Sequence, residues 1–251
     1  MRPVAIFNTG PYSPGTDGLF EALGGDNDYV FSRCLGLAAR EIVEFKVEAD
    51  GSLPDADEVS AVVVTGSPAM VTDRAPWSER TARWIADNAG SMPMLGVCFG
   101  HQLIGHALGG TVTYNPAGSE YGTVTVETTP AAAGDPLLRG IPQHFLAQAA
   151  HSQCIATLPK EATLLARNSH GVQAVRYAQA IWGLQFHPEF DAAFMRILLT
   201  SFAGYVSGLG LDSLALRQKI VDSPVALGVL QNFRRVIDDS EARPAAGLAA
   251  R

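Results

Sequence analysis

Residues 94–110, MLGVCFGHQLIGHALGG, limit what this chain can fold into more than any other stretch. Met94, Leu95, Gly96 and Val97 form an apolar run entered through Pro93. Leu103, Ile104, Ala107 and Leu108 then recur at helical spacing until Gly109 and Gly110 stop the pattern. Cys98 falls where a strand hands over to a helix. Gly96 and Gly100 stand two residues to either side, and a tight strand-to-helix turn needs residues without a Cβ where backbone segments crowd. The spacing predicts a nucleophile elbow that carries cysteine, with the positive end of the helix dipole favouring a thiolate. A cysteine that merely packs in the core is the competing reading of the elbow by itself.

With 251 residues, 47% hydrophobic and 17% charged, the chain can bury the core of one α/β domain with a helical C-terminal extension. A formal charge of -7 and a pI near 5.3 argue against nucleic acid or an acidic membrane surface as partner and favour small-molecule chemistry. Cys34, Cys98 and Cys154 are odd in number, widely spaced and lack a CxxC pair, which suggests neither a disulfide framework nor a zinc site. A zinc set of Cys98, His101 and His106 would be short of ligands and split between helical faces. The apolar run in MRPVAIFNTG is too short for a signal segment and no later stretch approaches a membrane span, so the expected setting is a reducing cytoplasm.

Apolar runs at 4–7 and 61–64, like that at 94–97, read as buried strands, and 42–47 alternates as a half-buried one. Asp26 is placed to cap a helix carrying Val30, Phe31, Leu35 and Leu37, with Cys34 a core cysteine on it. Residues 73–90 read as a helix with Pro76 in its first turn. Strand, helix, strand, helix in this order predicts a parallel sheet covered on both faces. After Gly110 the texture turns to short strands, at 111–114, 122–128, 145–149, 163–166, 172–177 and 181–186, forming a small β-rich part. His151, Ser152 and Gln153 read as a polar loop at a strand end. Helices are expected at 192–203, 212–221 and 224–237, and disorder from Asp239 on.

A cysteine nucleophile needs a base for its proton and a third group to fix the base's tautomer and direction. The segment WGLQFHPEF, 182–190, offers both. His187 ends an apolar strand, and Glu189 two residues on projects to the same side of an extended segment, so its carboxylate reaches one imidazole nitrogen while the other faces Cys98. Gly66, just past the strand at 61–64, is placed to aim a backbone N–H into the crevice at the strand ends as an oxyanion donor, although an ordinary Gly-Ser-Pro turn fits those residues equally. His101, His106, His144 and His170 read as structural or solvated histidines.

GVCFGHQ at 96–102 together with HPE at 187–189 resembles the class I glutamine amidotransferases, the triad-type domains that release ammonia from glutamine. The resemblance runs from the first strand to the helix after Glu189. It implies a doubly wound, mostly parallel α/β sheet of the flavodoxin-like kind, with Cys98 as nucleophile, His187 as base and Glu189 as its orienting partner, and no cofactor. It further implies N–H groups of Phe99 and Gly66 as oxyanion donors, and Gln102 with His151, Ser152 and Gln153 as contacts to the amino-acid end of glutamine or a γ-glutamyl compound. Where family members often carry Asp, at the third position of that loop, this chain has Gln153, so no carboxylate stands there for the substrate ammonium. The chain is similar to stand-alone members resembling the amidotransferase part of GMP synthase, which implies a possible separate synthetase subunit, and to the γ-glutamyl peptidases of the same fold. The expected division is an amidotransferase domain at 1–204, a helical extension at 205–238 and a disordered tail at 239–251. A non-catalytic binding module has no need of all three site residues, and a hydrolase with histidine directly after its elbow cysteine would not have Phe99 there.

Overall fold

The apolar runs with the fewest polar interruptions lie side by side at the centre of the sheet. In the computed structural model, which describes residues 2–10, 27–49 and 52–242, strands β1 (Val4–Asn8), β3 (Ala61–Val64), β4 (Met94–Val97) and β11 (Ile181–Leu184) are buried almost throughout. Strands covered on both faces carry such continuous apolar sequences. β2 (Ile42–Lys46) is an edge strand, half-buried from Ile42 to Phe45 and exposed at Lys46. β5 is Thr111–Tyr114, β6 Glu120–Thr128, β7 His144–His151, β8 Gln153–Thr157, β9 Thr163–Asn168 and β10 Gly171–Ala178. The main sheet has the order β2-β1-β3-β4-β11-β10-β9-β6-β7, and β5 pairs with β8 in a separate ribbon. β2, β1, β3, β4 and β11 are mutually parallel, and the remaining four strands continue the sheet antiparallel.

Helices cover both faces. α1 (Asn27–Leu35) links β1 to β2 and packs Phe31 and Leu35 against Val4 and Ile6. α2 (Pro76–Asp87) and α3 (Phe99–Ala107) pack Ala82, Ile85, Phe99 and Leu103 on the opposite face with Ala5, Phe7, Val62 and Val64. This is the parallel sheet covered on both faces that the order of apolar runs predicts, and the doubly wound arrangement that the family resemblance implies. α4 (Ala192–Ser201), α5 (Ala203–Gly208) and α6 (Ser213–Gln218) form a third cluster against Tyr121 and Ala150. Asp191 and Asp212 cap α4 and α6 by accepting from the N–H groups of Phe194 and Ala215. α7 (Pro224–Ala242) returns to the first face, where Val229, Leu230 and Phe233 join the core of α1.

Several boundaries differ from those expected. Residues 151–153 are not a loop: β7 runs through His151 and β8 begins at Gln153, leaving only Ser152 between two strands. The polar side chains at this junction are buried and bonded, His151 to Glu120 and the Gln153 carbonyl, Ser152 to Ser119 and Gln153 to Thr72, so polarity misleads there. The helix expected at 192–203 is two, α4 and α5, and α2 is preceded by a separate 3-10 turn, Val71–Asp73. α7 continues to Ala242, so 239–242 are helical where disorder was expected. The Asp26 cap and residues 243–251 lie outside the described residues.

Candidate active site

Three adjacent strands bring the candidate residues together. β3, β4 and β11 are neighbours with Val64 opposite Gly96 and Val97 opposite Leu184, and their C-terminal ends lead into Gly66, Cys98 and His187. Ligands of open α/β sheets bind at such strand ends.

Cys98 is the N-cap of α3, at φ 51° and ψ −105°. Positive φ is costly for a residue with a Cβ, about 1–3 kcal/mol, and is held only where the surroundings over-determine it. They do so here: the Cys98 N–H donates to the Leu184 carbonyl at 2.7 Å, the Gly100 N–H donates to the Thr65 carbonyl at 3.1 Å, and Cys98 O accepts from the Gln102 N–H at 3.1 Å. A Cβ on Gly96 would run into the Gly100 carbonyl, and one on Gly100 into the Val64 carbonyl. Both glycines are thus required by close backbone approach. The thiol points towards the Ala150 carbonyl oxygen, 3.7 Å away.

His187 is held from four directions. Its Nδ1 lies 2.7 Å from Glu189 Oε1, its N–H donates to the Gln148 carbonyl at 2.8 Å, its ring stacks on Phe190 at 4.0 Å and 2°, and its Cε1 lies against Gly66. A Cβ on Gly66 would come within 2.7 Å of that carbon and 3.7 Å of Cys98 Cβ. Only a glycine lets histidine and cysteine meet over this backbone. Burial works against the charged imidazole, yet the Glu189 carboxylate and the hydrogen-bonded Cys98 outweigh it and push the His187 pKa up to about 10. The contact with Glu189 arises differently from the extended geometry expected: β11 ends at Leu184, and Pro188 and Glu189 form a turn that folds the carboxylate back onto the ring.

Gly66, Cys98, Phe99, Gln102, His151, Ser152, Gln153 and His187 line one cavity of about 350 Å³, with Glu189 behind His187. Phe99 is the first helical residue of α3, and first-turn N–H groups have no acceptor within their own helix. Gln102 Nε2 donates to the Gln153 carbonyl at 2.9 Å and to Gln185 Oε1 at 3.0 Å, so its amide braces the cavity floor. His151 has Nδ1 3.0 Å from the Gln153 carbonyl and Nε2 2.9 Å from Glu120 Oε2. Both partners are acceptors, so the two bonds are made together only by the doubly protonated ring. The Ser152 hydroxyl accepts from Ser119 at 2.9 Å. Gln153 Nε2 donates to Thr72 Oγ1 at 2.6 Å, while its Oε1 is buried without a partner among the described residues.

Other participants carry no local sequence signal. Glu120 is buried and receives Asn168, Gln173 and His151, with His170 Nδ1 3.2 Å away. Burial opposes its ionisation, but these bonds and the charges of His151 and His170 hold its carboxyl below the usual range. His170, in its turn and partly exposed, is the outer member of this network. Tyr121 lines the cavity beside Ser152 and Tyr205, and burial keeps its hydroxyl protonated far above neutrality. His101 is fully buried against Tyr177, and burial, aided by the His151 charge, pushes it down to about 3, which keeps it neutral. His106 contacts Glu79, and His144 is exposed. Burial pushes the Cys34 thiol up to about 12 and raises that of Cys154, so both are poor nucleophiles. A larger open cleft of about 740 Å³, bordered by Glu120, Arg167 and His170, has no cysteine among its described lining residues.

Fold and site together define an α/β protein with a cysteine, a histidine and a carboxylate at the C-terminal ends of parallel strands. The family model Glutamine amidotransferase class-I matches residues 29–197, and the chain belongs to that family. It is 35% identical over 129 residues to the glutamine-hydrolyzing GMP synthase of Thermomicrobium roseum, covering 51% of this chain and 23% of the relative. It is 32% identical over 135 residues to one subunit of the glutamine-hydrolyzing GMP synthase of Methanopyrus kandleri, covering 53% of this chain and 68% of that relative. The chain thus spans less than a quarter of the first relative and about two thirds of the second. The crystal structure of a glutamine amidotransferase from Thermotoga maritima shares the fold with a TM-score of 0.73 at 20% identity, covering 95% of this chain and 99% of that one.

Proposed function

We propose that this chain hydrolyses the γ-amide of glutamine through a γ-glutamyl thioester on Cys98, releasing ammonia. The observation that carries the reading is the meeting of Cys98 and His187 over Gly66 in one cavity, with His187 anchored by Glu189 at 2.7 Å. In this mechanism Cys98 Sγ attacks the γ-carbonyl carbon and a C–S bond forms. The N–H groups of Gly66 and Phe99 receive the oxyanion, a contribution of about 10²–10³ in rate per donor in comparable sites. The charged His187 then gives its proton to the departing nitrogen as the C–N bond breaks. Water attacks the thioester, passes a proton to His187, and the C–S bond breaks to give glutamate and the thiolate. Glu189 holds the ring's direction and its charge.

The amino-acid end of the substrate would lie against Gln102 and residues 151–153. The unpartnered Oε1 of Gln153 supports this placement, because it offers an acceptor to an ammonium where no carboxylate stands. Glutamate release from glutamine, with Cys98→Ala as the blank, tests the proposal, and activity is expected from the chain alone. Cys98→Ser should lose at least about a thousandfold of turnover with the fold intact, because an alkoxide is far harder to form than a thiolate. A glutamine-analogue diazo ketone should label Cys98 and spare Cys34 and Cys154, as read by peptide mass spectrometry. The Methanopyrus kandleri relative, named as one subunit of a GMP synthase, supports a second arrangement, in which a separate synthetase subunit consumes the ammonia. A rate that is negligible alone and rises on adding such a subunit would assign that arrangement.

A further inference from the structure

The cavity at Cys98 has two chemically different parts. Gln102, His151, Ser152 and Gln153 make one part polar, while Phe190, Phe194, Leu198, Phe202 and Tyr205, with Tyr121 packed against them beside Ser152, make the other aromatic and apolar. We propose that the preferred substrate is a γ-glutamyl amide whose nitrogen bears an uncharged, apolar group of aryl size, so that an apolar amine leaves where glutamine would lose ammonia. This rests on the reading of Cys98 as nucleophile and His187 as proton donor.

The position of His187 decides which part of the substrate meets the apolar wall. Its Nδ1 is held by Glu189, so Nε2 is the atom left to deliver the proton, and the leaving nitrogen must come within hydrogen-bond reach of it. The same ring lies face to face with Phe190 at 4.0 Å, and Phe190 packs on Phe194 at 4.2 Å. A substituent on the leaving nitrogen therefore continues along the surface that starts at Phe190 and follows α4 to Phe202 and Tyr205. Tyr205 is 48% exposed, so the wall opens to solvent at that end. Ammonia gains nothing from such a wall, and a cavity of about 350 Å³ falls within the roughly 300–1,000 Å³ typical of sites enclosing ligands larger than glutamine.

Charge excludes the commoner γ-glutamyl amines. No Lys, Arg, Asp or Glu is among the described residues lining the cavity. The ammonium of a γ-glutamyl diamine would be desolvated there beside the charged His187 with no carboxylate to pair it, and a free carboxylate carried along the apolar wall finds no counter-charge beyond His187. In the step proposed, the C–S bond to Cys98 forms, the C–N bond breaks, His187 supplies the proton, and the neutral amine departs along the aromatic wall.

The test compares kcat/KM of the whole chain for glutamine, γ-glutamylmethylamide, γ-glutamylbenzylamide, γ-glutamylglycine and γ-glutamylputrescine. The benzylamide is expected to exceed glutamine and the methylamide by about 10- to 100-fold, the range one apolar group gives in a fitted pocket, with the two charged amides poorest. Phe202→Ala and Tyr205→Ala should each lower the ratio of benzylamide to glutamine efficiency by about three- to tenfold. Glutamine hydrolysed as well as or better than the benzylamide overturns this inference and leaves the glutaminase reading standing. The inference is likewise overturned if the wall receives a partner, seen as glutamine turnover that rises with an added synthetase subunit while the benzylamide stays inert. Hydrolysis of none of the five, with or without an added synthetase subunit, overturns both readings.

Discussion

At Cys98 the backbone accepts a strained conformation, and at His187 the side chain gains a charge; both follow from what surrounds them. Glu189 and His187 differ in what they give the proposed reaction. Glu189→Gln keeps an amide oxygen that accepts from Nδ1 but removes the negative charge, whereas His187→Ala removes the proton carrier itself. Glu189→Gln should therefore cost less turnover than His187→Ala, by about tenfold or more in kcat/KM. Equal losses in two folded variants would make Glu189 a structural residue. The raised His187 pKa also carries a stability signature. A histidine whose charged form is favoured by folding contributes fully below its ordinary value of 6.5 and loses that contribution as pH rises through about 10. Wild-type Tm should fall across this window, and more steeply than that of Glu189→Gln, in which the main favourable charge on the ring is gone. Thermal unfolding at pH 6.5 and 10 of both proteins reads the difference; parallel curves would remove Glu189 as the cause.

The elbow is an element built from three close approaches. β4 must pass under the first turn of α3, which is why Gly96 lies against Gly100, and α3 must start against the end of β3, which is why Gly100 lies against Val64. These neighbours are backbone atoms, which cannot swing aside as a flexible side chain does. Gly100→Ala should thus destabilise by about 1–3 kcal/mol in urea unfolding, as overpacking of a tight contact does. Gly66 differs, because its close neighbour is the His187 ring. Gly66→Ala is expected to displace the imidazole and lower kcat by about tenfold or more with a smaller loss of stability. Stability lost in proportion to activity would instead place Gly66 among the structural turns.

Across the whole molecule, the antiparallel strands reach back over the parallel ones to complete the cavity. β7 is the far edge of the sheet, yet its Gln148 bonds His187, its Ala150 carbonyl meets the Cys98 thiol, and its His151 ties the cavity to Glu120. α7 is likewise a component of the main core: Phe233 is fully buried and packs edge-on against Trp182 of β11 at 6.3 Å. Phe233→Ala should cost about 3–5 kcal/mol, measured by urea denaturation, although it lies far along the sequence from every candidate site residue. A loss below about 1 kcal/mol would mean that α7 is only loosely attached. Among the described residues, no helix is long and apolar enough to cross a membrane.

The strands at 4–7, 61–64 and 94–97 were legible because burial on both faces demands unbroken apolar runs, and the elbow because its glycines and cysteine are all local. The HPE segment was legible for the same reason, its two candidate side chains being separated by a single residue. β8 was not, since its first residues are polar and are satisfied by partners that no window of sequence contains. The end of α7 was missed because residues 238–242 bury no apolar face that would show a helical period. Tertiary structure alone decided that β3, β4 and β11 are neighbours, which places Gly66, Cys98 and His187 at one cavity. It alone paired Glu120 with His151 across 31 residues, and aligned Phe190, Phe202 and Tyr205 into one wall. Short-range sequence records propensity and burial, while the pairing of a buried charge and the shape of a cavity depend on chain segments that meet only once the sheet is assembled.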